Sequence, residues 1–168
     1  MTERENVMRV LRHELPEWLP DSSVCIEHVM CPVCERPAEG TGFDAFGVHW
    51  TDRGETGGGC HYTPGQEPVI SDIEKWEEQV RFPDLDAVDW EKIAFREAMR
   101  PQKDALKAVT IWMGLFERTT VLMPFEDCLV NYLLYPDEMF DLVKSIADYK
   151  MRFALFTLFI FKDLKKQV

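Results

Sequence analysis

The chain has 168 residues, of which 46% are hydrophobic and 12% aromatic, and this is enough apolar material for one folded domain with a real core. Its net charge is −11, which disfavours nucleic acid and anionic membranes as partners because both attract positive charge. The longest apolar run, residues 153–161, is far shorter than the ~20 residues of a membrane-spanning helix. The N-terminus does not resemble a secretory signal, and the five cysteines form no regular framework, so we expect a cytoplasmic protein with reduced thiols.

A helix and a strand are predicted first. Thr2 and Glu5 have the T-x-x-E spacing of a capping box, and an apolar stripe follows, so residues 3–13 are predicted to be helical. The prolines that come next end this helix. A strand is predicted at Val24–Val29.

A hairpin and a glycine-rich loop are predicted next. Residues 43–51 indicate a short strand or hairpin arm with one apolar face. Residues 52–68 contain four successive glycine or proline signals, and we expect a mobile loop without regular structure there. The apolar side chains that alternate on the face of the arm are Phe46, Val48 and Trp50.

Two capped helices are then predicted. Ser71 and Glu74 form a second capping box before a short apolar stripe. Asp89 can cap a helix at Trp90–Arg100, which a proline ends. Three tryptophans have a spacing that favours packing in the core over stacking on a ligand: Trp76, Trp90 and Trp112.

The chain is organised around residues 109–150. Alternating β-branched and aromatic residues predict a strand at Val109–Met113, which Gly114 ends. Helical spacing follows, and a strand that leads directly into helices is half of a βαβ unit, which predicts a parallel sheet. Residues 153–161 fit a buried helix or a buried strand equally well. Pro136 begins a helix whose buried stripe is predicted to contain Met139, Leu142, Val143 and Ile146.

A resemblance to a known family lies in the segment GLFERTTVLMPFEDCLVNYLLYPDEMFDLVKSIADYK, residues 114–150. This segment resembles the uroporphyrinogen decarboxylase-like superfamily, and most of all its branch near the corrinoid-dependent methyltransferases. The same pattern continues upstream, and the similarity covers about residues 2–150, the N-terminal part of the family's barrel. The upstream segments are TERENVMRVLRHELPEW, FDAFGVHWT and PVISDIEKWEEQVRFPDLDAVDWEK.

The resemblance implies an α/β fold in one domain over residues 1–168. This fold is a partial TIM barrel, the first βα units of a (β/α)8 barrel, with helices at the N-terminus. Since two or three parallel strands are predicted where the barrel has eight, we expect a truncated product, a fragment, or a piece that needs a partner. Unpaired strand edges and the apolar run at residues 153–161 then predict self-association or binding to a partner barrel piece.

The activity that the resemblance implies belongs to the full-length family. It is that of a lyase or a methyltransferase, either a decarboxylation or a methyl transfer to or from a corrinoid or a thiol. The implied cofactors are a corrinoid and zinc, and the implied partner is a corrinoid protein. The arginine-rich motif of the decarboxylases and the zinc-site half of the methyltransferases have no match here, so we expect this chain alone to be inactive. The alternatives are a non-catalytic acidic interaction or regulatory module and a small zinc-binding module.

Glu117 and Arg118 are the candidate substrate-binding residues. Barrel enzymes place their sites at the carboxyl ends of the strands, and both residues follow the strand predicted at Val109–Met113. They can bind a polar substrate group there. The alternative is that they pair with neighbouring helices and have a structural role.

Cys31, Cys34, Cys60 and His61 are the candidate metal ligands. Cys31 and Cys34 form a C-x-x-C pair, in which two thiolates can bind one tetrahedral Zn²⁺. Cys60 and His61 are adjacent in sequence and lack the ligand spacing of known zinc fingers. We therefore expect substoichiometric zinc or none in the purified protein. The alternative is a pair of reduced thiols in a loop.

Overall fold

Helices and two small β-sheets form a mixed α/β fold in a computed structural model of the protein. Within the part of the chain that the structure describes, no helix is both long enough and apolar enough to cross a membrane. Only the backbone is described for residues 60–62 and 159–164. The described residues are 1–29, 33, 37, 40–52, 54, 60–63, 65–101 and 103–164.

The chain, for which composition predicts one domain, divides into two compact units. Unit 1 contains the first helices and a parallel strand pair. Unit 2 contains an antiparallel sheet, the helices at Leu115–Leu122 and Phe125–Leu134, and residues 136–156 of the last helix. The units comprise residues 1–31, 89–110 and 157–168 (unit 1) and residues 32–88 and 111–156 (unit 2).

Unit 1 begins with helix α1 (Glu3–Leu11). The predicted capping box is confirmed, because the Glu5 N–H donates to Thr2 Oγ1 at 3.2 Å and the Thr2 N–H donates to Glu5 Oε2 at 2.9 Å. Asn6 is fully buried, and its side-chain amide donates to the Trp18 carbonyl. This bond fixes the segment after α1 against the helix.

The sheet of unit 1 consists of two parallel strands, β1 (Ile26–Val29) and β5 (Leu106–Val109). Asp21 caps a single helical turn, α2 (Ser22–Cys25), so β1 begins two residues later than the strand predicted at Val24–Val29. Helix α4 (Trp90–Ala98) precedes β5, and the prediction that Asp89 caps it is confirmed by a 2.9 Å bond from the Lys92 N–H.

A strand was predicted at Val109–Met113. The observed strand, β5, lies earlier in the chain and shares only Val109 with that range. The described register pairs Ile26–Val29 with Leu106–Val109, so the paired residues of this strand lie before the predicted range. Met113 also has a φ of 60°, a left-handed conformation that a strand does not contain.

The sheet of unit 2 is antiparallel, with strands β2 (Gly42–Phe43), β3 (His49–Asp52) and β4 (Cys60–Tyr62). The arm predicted at residues 43–51 is confirmed in part, since β3 covers its end while residues 44–48 connect β2 to β3. Its three alternating apolar side chains are buried. The expectation that residues 52–68 lack regular structure is wrong at β4, because the register pairs Trp50 with Tyr62 and provides β4 with a partner strand.

A short helical segment follows in unit 2, a 3₁₀ turn (Ile73–Lys75) that leads into α3 (Trp76–Gln79). The predicted Ser71 capping box is wrong, since Asp72 caps the turn by accepting the Glu74 N–H at 3.1 Å. The Ser71 hydroxyl instead accepts a bond from the Gln79 side chain. An aspartate directly before the turn reaches the N–H groups that a more distant serine does not.

Three helices complete the described chain: α5 (Leu115–Leu122), α6 (Phe125–Leu134) and α7 (Pro136–Leu164). Residues 153–161, whose sequence fits a helix or a strand equally well, are therefore helical. Of the four residues predicted for the stripe of α7, three are fully buried and Val143 is half-buried. Three tryptophans were predicted to lie in the core. Trp112 differs from this prediction, since it lies outside β5 and is 44% exposed. The residues buried along α7 in unit 2 are Met139, Leu142, Ile146, Tyr149 and Phe153.

Candidate functional site

Two polar side chains meet at the carboxyl ends of the parallel strands of unit 1. His28 is the third residue of β1, and Thr110 directly follows β5. The parallel register brings them together, with His28 Nδ1 lying 2.8 Å from Thr110 Oγ1. His28 is exposed, and α/β sheets bind ligands outside the carboxyl ends of their strands. We call this candidate site the His28–Thr110 edge.

The bond between His28 and Thr110 determines which atoms of the pair are left for a ligand. An imidazole with Nδ1 engaged by a hydroxyl presents Nε2 outward, as a donor in one tautomer and an acceptor in the other. The threonine hydroxyl retains the capacity for a further hydrogen bond. The edge can therefore bind a polar group by one donated and one accepted hydrogen bond, or an anionic group by two donated bonds when the imidazole is protonated. The imidazole can carry a proton to or from such a group.

A cluster of charged side chains lies on the other face of β1, because successive residues of a strand point to opposite faces. Glu27 is 6% exposed and Glu97, on α4, is 2% exposed. Arg100 connects the two carboxylates, with one guanidinium nitrogen 3.3 Å from Glu27 Oε1 and another 2.8 Å from Glu97 Oε2. Buried carboxylates need such a cation nearby. This Glu27–Glu97–Arg100 cluster fixes β1 to α4.

Two further cations lie around Glu97. Lys107 Nζ donates to the Glu97 carbonyl at 3.3 Å, and Arg96 Nε lies 3.6 Å from Glu97 Oε1. The hydrogen bond to Glu97 and the charge of that carboxylate raise the pKa of Arg100. Glu27 Oε2 is buried and has no hydrogen-bond partner among the described residues. Arg100 is thus the main counter-charge for Glu27, and the orientation of β1 depends on it.

Arg100→Met is expected to lower the free energy of unfolding more than Arg96→Met does, because it leaves two buried carboxylates without their shared cation. The loss should be smaller than for a fully buried pair since the Arg100 side chain is 38% exposed. Urea unfolding of the full chain measures it. Arg96→Met is the matched control, and it should cost about 0.5 kcal/mol because its contact is long and exposed. Equal losses in the two variants would show that the cluster does not hold β1.

Glu117 and Arg118, the predicted substrate-binding residues, both lie on α5 in unit 2. Glu117 is exposed, and its Oε2 accepts the Gly114 N–H at 2.7 Å, which caps the start of α5. Arg118 is fully buried, and its guanidinium lies 2.7 Å from Asp44 Oδ2 and 4.3 Å from the centre of the Phe46 ring. Both side chains therefore have structural partners, and substrate binding by them stays a prediction.

Both carboxylate oxygens of Asp44 accept hydrogen bonds from neighbouring groups. Its Oδ1 accepts the backbone N–H groups of Phe46 and Val48, both at 2.9 Å. Its Oδ2 accepts Trp50 Nε1–H at 3.1 Å as well as the bond from Arg118. Four hydrogen bonds therefore reach this one buried carboxylate, two to each oxygen. The ion pair thus connects the β2–β3 hairpin to α5.

The candidate metal ligands are described only in part. Cys31 and Cys34 lie outside the described residues, and Cys60 and His61 are described by their backbone in β4. Across the side chains that the structure describes, no group of three or more His, Cys, Asp or Glu residues has a metal-binding arrangement. Zinc binding by the C-x-x-C pair stays a prediction, as does a corrinoid cofactor.

The two cysteines with described side chains are core residues. Cys25 and Cys128 are buried and free of disulfides. Burial raises the pKa of the Cys128 thiol, while a weak bond to the Thr119 hydroxyl opposes this rise. A thiol of this kind is a poor nucleophile. Cys128 therefore stabilises the packing of α6 on α5.

The sequence contains a signal for the His28–Thr110 edge, the end of a parallel strand, but our prediction placed that strand end at Met113. The rule that ligands bind at the carboxyl ends of strands was applied to a strand ending at Met113, and it indicated Glu117 and Arg118. With β5 ending at Val109, the same rule indicates Thr110. Its partner His28 follows from the parallel register, which depends on which strands pair.

Comparison with known proteins returned no match. No protein-family model fits the chain, and neither a curated protein nor a solved structure is similar enough to count as a relative.

Proposed function

We propose that the chain provides a ligand-binding edge of a uroporphyrinogen decarboxylase-like enzyme, in which the reaction is a decarboxylation or a methyl transfer to or from a corrinoid or a thiol. The observation that carries the proposal is the exposed hydrogen bond between His28 and Thr110 at the carboxyl ends of two parallel strands. In barrel enzymes this is the end of the sheet at which ligands bind.

The order of elements supports this assignment. A parallel strand pair needs a crossover connection, usually with a helix, and α4 lies in the sequence directly before β5 and buries charged partners against β1. Because Nδ1 and Oγ1 are bonded to each other, a neutral imidazole leaves one outward donor for a substrate carboxylate, and a protonated imidazole leaves two, Nε2–H and the threonine O–H. The Glu27–Glu97–Arg100 cluster holds the strand that carries the imidazole.

Turnover by this chain alone is not part of the proposal. Decarboxylation and methyl transfer need either preorganised cations or a metal to stabilise developing charge, and the resemblance assigns those groups to motifs that this chain does not match. We expect the purified chain to decarboxylate no porphyrinogen and to transfer no methyl group. Turnover that disappears in Glu117→Gln would contradict this expectation and return the site to α5.

The test of the proposal is therefore a binding measurement. The probes are a porphyrin polycarboxylate and hydroxocobalamin, each titrated into the full chain and followed by tryptophan fluorescence and equilibrium dialysis. We expect one of them to bind, and His28→Ala and Thr110→Val each to weaken it about tenfold, the effect of one lost hydrogen bond of ~1.4 kcal/mol.

The matched control for the binding test is His13→Ala. His13 is an exposed histidine in the same unit, after the end of α1. It should leave the affinity unchanged. Failure of both probes to bind would contradict the proposal, and so would binding that His28→Ala and His13→Ala weaken equally.

A further inference from the structure

The solvent-facing half of α6 is apolar, the reverse of an ordinary surface helix. Its five apolar side chains recur at helical spacing and are between 43% and 82% exposed. The charged residues of this helix are Glu126 and Asp127, both exposed and both in its first turn. We call this surface the α6 outer face, and it consists of Phe125, Leu129, Val130, Leu133 and Leu134.

The opposite half of α6 already has its partners within unit 2. Cys128 is fully buried, and the Tyr132 hydroxyl lies 3.1 Å from Thr119 Oγ1 on α5. Asn131 donates to Met123 Sδ at 3.5 Å. These contacts fix the rotation of the helix, so the apolar residues of the outer face cannot turn inward without losing them. Contiguous exposed apolar surface of this kind marks an interaction site.

The charges next to α6 in the sequence indicate which kind of partner fits its outer face. Residues 119–143 contain five acidic side chains and no Lys, Arg or His. Two of the acids lie in the first turn of α6 and two in the first turn of α7. A second copy of the chain would bring the same acids against this surface, and like charges at an interface oppose association. The five are Glu126, Asp127, Asp137, Glu138 and Asp141.

We propose that the α6 outer face binds an amphipathic helix of a partner protein, with apolar side chains on one face and Lys or Arg residues at its flanks. Helices bind such surfaces through anchors at i, i+3, i+4 and i+7. The ten residues of α6 span about 15 Å, which matches two turns or more of such a partner. The proposal is independent of the His28–Thr110 edge, which lies in unit 1.

The test uses two synthetic amphipathic peptides with the same leucine positions, one with lysine and one with glutamate at its polar positions. Fluorescence anisotropy measures their affinity for the full chain. We expect the lysine peptide to bind at least tenfold more tightly than the glutamate peptide. Its affinity should fall with added salt, because complementary charge contributes to it.

Variants of the chain separate this surface from general attraction to an acidic protein. The double variant Leu129→Gln/Leu133→Gln should lower the affinity for the lysine peptide at least tenfold. Leu155→Gln, on the exposed side of α7 and with 67% exposure, is the control and should leave the affinity unchanged. Circular dichroism checks that both variants fold, which the exposure of the substituted residues favours.

Three results would overturn the proposal. The first is equal binding of the two peptides, and the second is equal weakening by the α6 variant and the Leu155 control. The third is self-association of the chain without peptide, measured by light scattering over a concentration series, that disappears in the α6 variant. That result would show that a second copy covers the α6 outer face.

Discussion

Asp44→Ala is expected to lower the free energy of unfolding of the full chain by roughly 3–5 kcal/mol, the cost of removing one partner of a buried ion pair. Arg118, the other partner, has no exposed surface, so the variant leaves its charge without its 2.7 Å carboxylate neighbour. Water cannot replace that carboxylate without opening the core. Urea unfolding, with near-ultraviolet circular dichroism as the signal for the buried aromatic residues, measures the loss.

The same substitution also removes the acceptor of three other donors. The Phe46 and Val48 N–H groups and the Trp50 indole N–H all donate to Asp44, and a buried donor without an acceptor costs about 1–3 kcal/mol. The turn between β2 and β3 depends on these bonds. We therefore expect the loss to include the hairpin itself, visible as faster amide exchange in β3.

Asp52→Ala is the control for Asp44→Ala, because Asp52 is an exposed aspartate at the end of β3 whose Oδ1 accepts the Gly54 N–H. It should cost about 0.5–1 kcal/mol. The double variant Asp44→Ala/Arg118→Met should be more stable than the sum of the two single losses predicts, since it removes both charges together. A cost of Asp44→Ala no larger than that of Asp52→Ala would contradict the assigned role of the ion pair.

Local signals in the sequence predicted the local structure well. The helix at α1 and its capping box, the cap of α4 at Asp89 and the buried arm around Val48 involve residues within a few positions of each other. In each case the determining interaction is a side chain bonded to a nearby backbone group or a periodic apolar pattern. These interactions are encoded at short range.

The bounds of strands that pair with distant segments were not predicted from the sequence. The described register pairs β5 with β1 as far as Val109 and Val29, and this register is not visible in the sequence of β5. Similarly, β4 forms in a glycine-rich segment because it pairs with β3. Strand propensity is a property of the pairing as much as of the residues, so the boundaries shifted although the mixed α/β class is confirmed.

The candidate sites show the same division between near and distant residues. The sequence brings Glu117 and Arg118 to attention as adjacent charges after a strand, but the partner of Arg118 is Asp44, which lies 74 residues away. His28 and Thr110 are 82 residues apart and neither is unusual in its local sequence. Adjacent charges were therefore easier to notice than the pair that the sheet brings together.

Ile146→Ala, in the buried stripe of α7, is expected to lower the free energy of unfolding by about 3 kcal/mol, through lost apolar burial and the cavity that remains. Ile146 is fully buried between the equally buried Leu142 and the largely buried Tyr149 along one face of the helix, so its neighbours on the stripe cannot move to fill the space without losing contacts of their own. Alanine has the higher helix propensity, so the loss comes from packing and not from the helix.

Ile146→Val should cost about 1 kcal/mol, and Leu155→Ala, on the exposed side of the same helix, should cost less than either. Urea unfolding of the three variants decides the matter, and similar losses for Ile146→Ala and Leu155→Ala would show that the two sides of α7 are not packed as the structure has them.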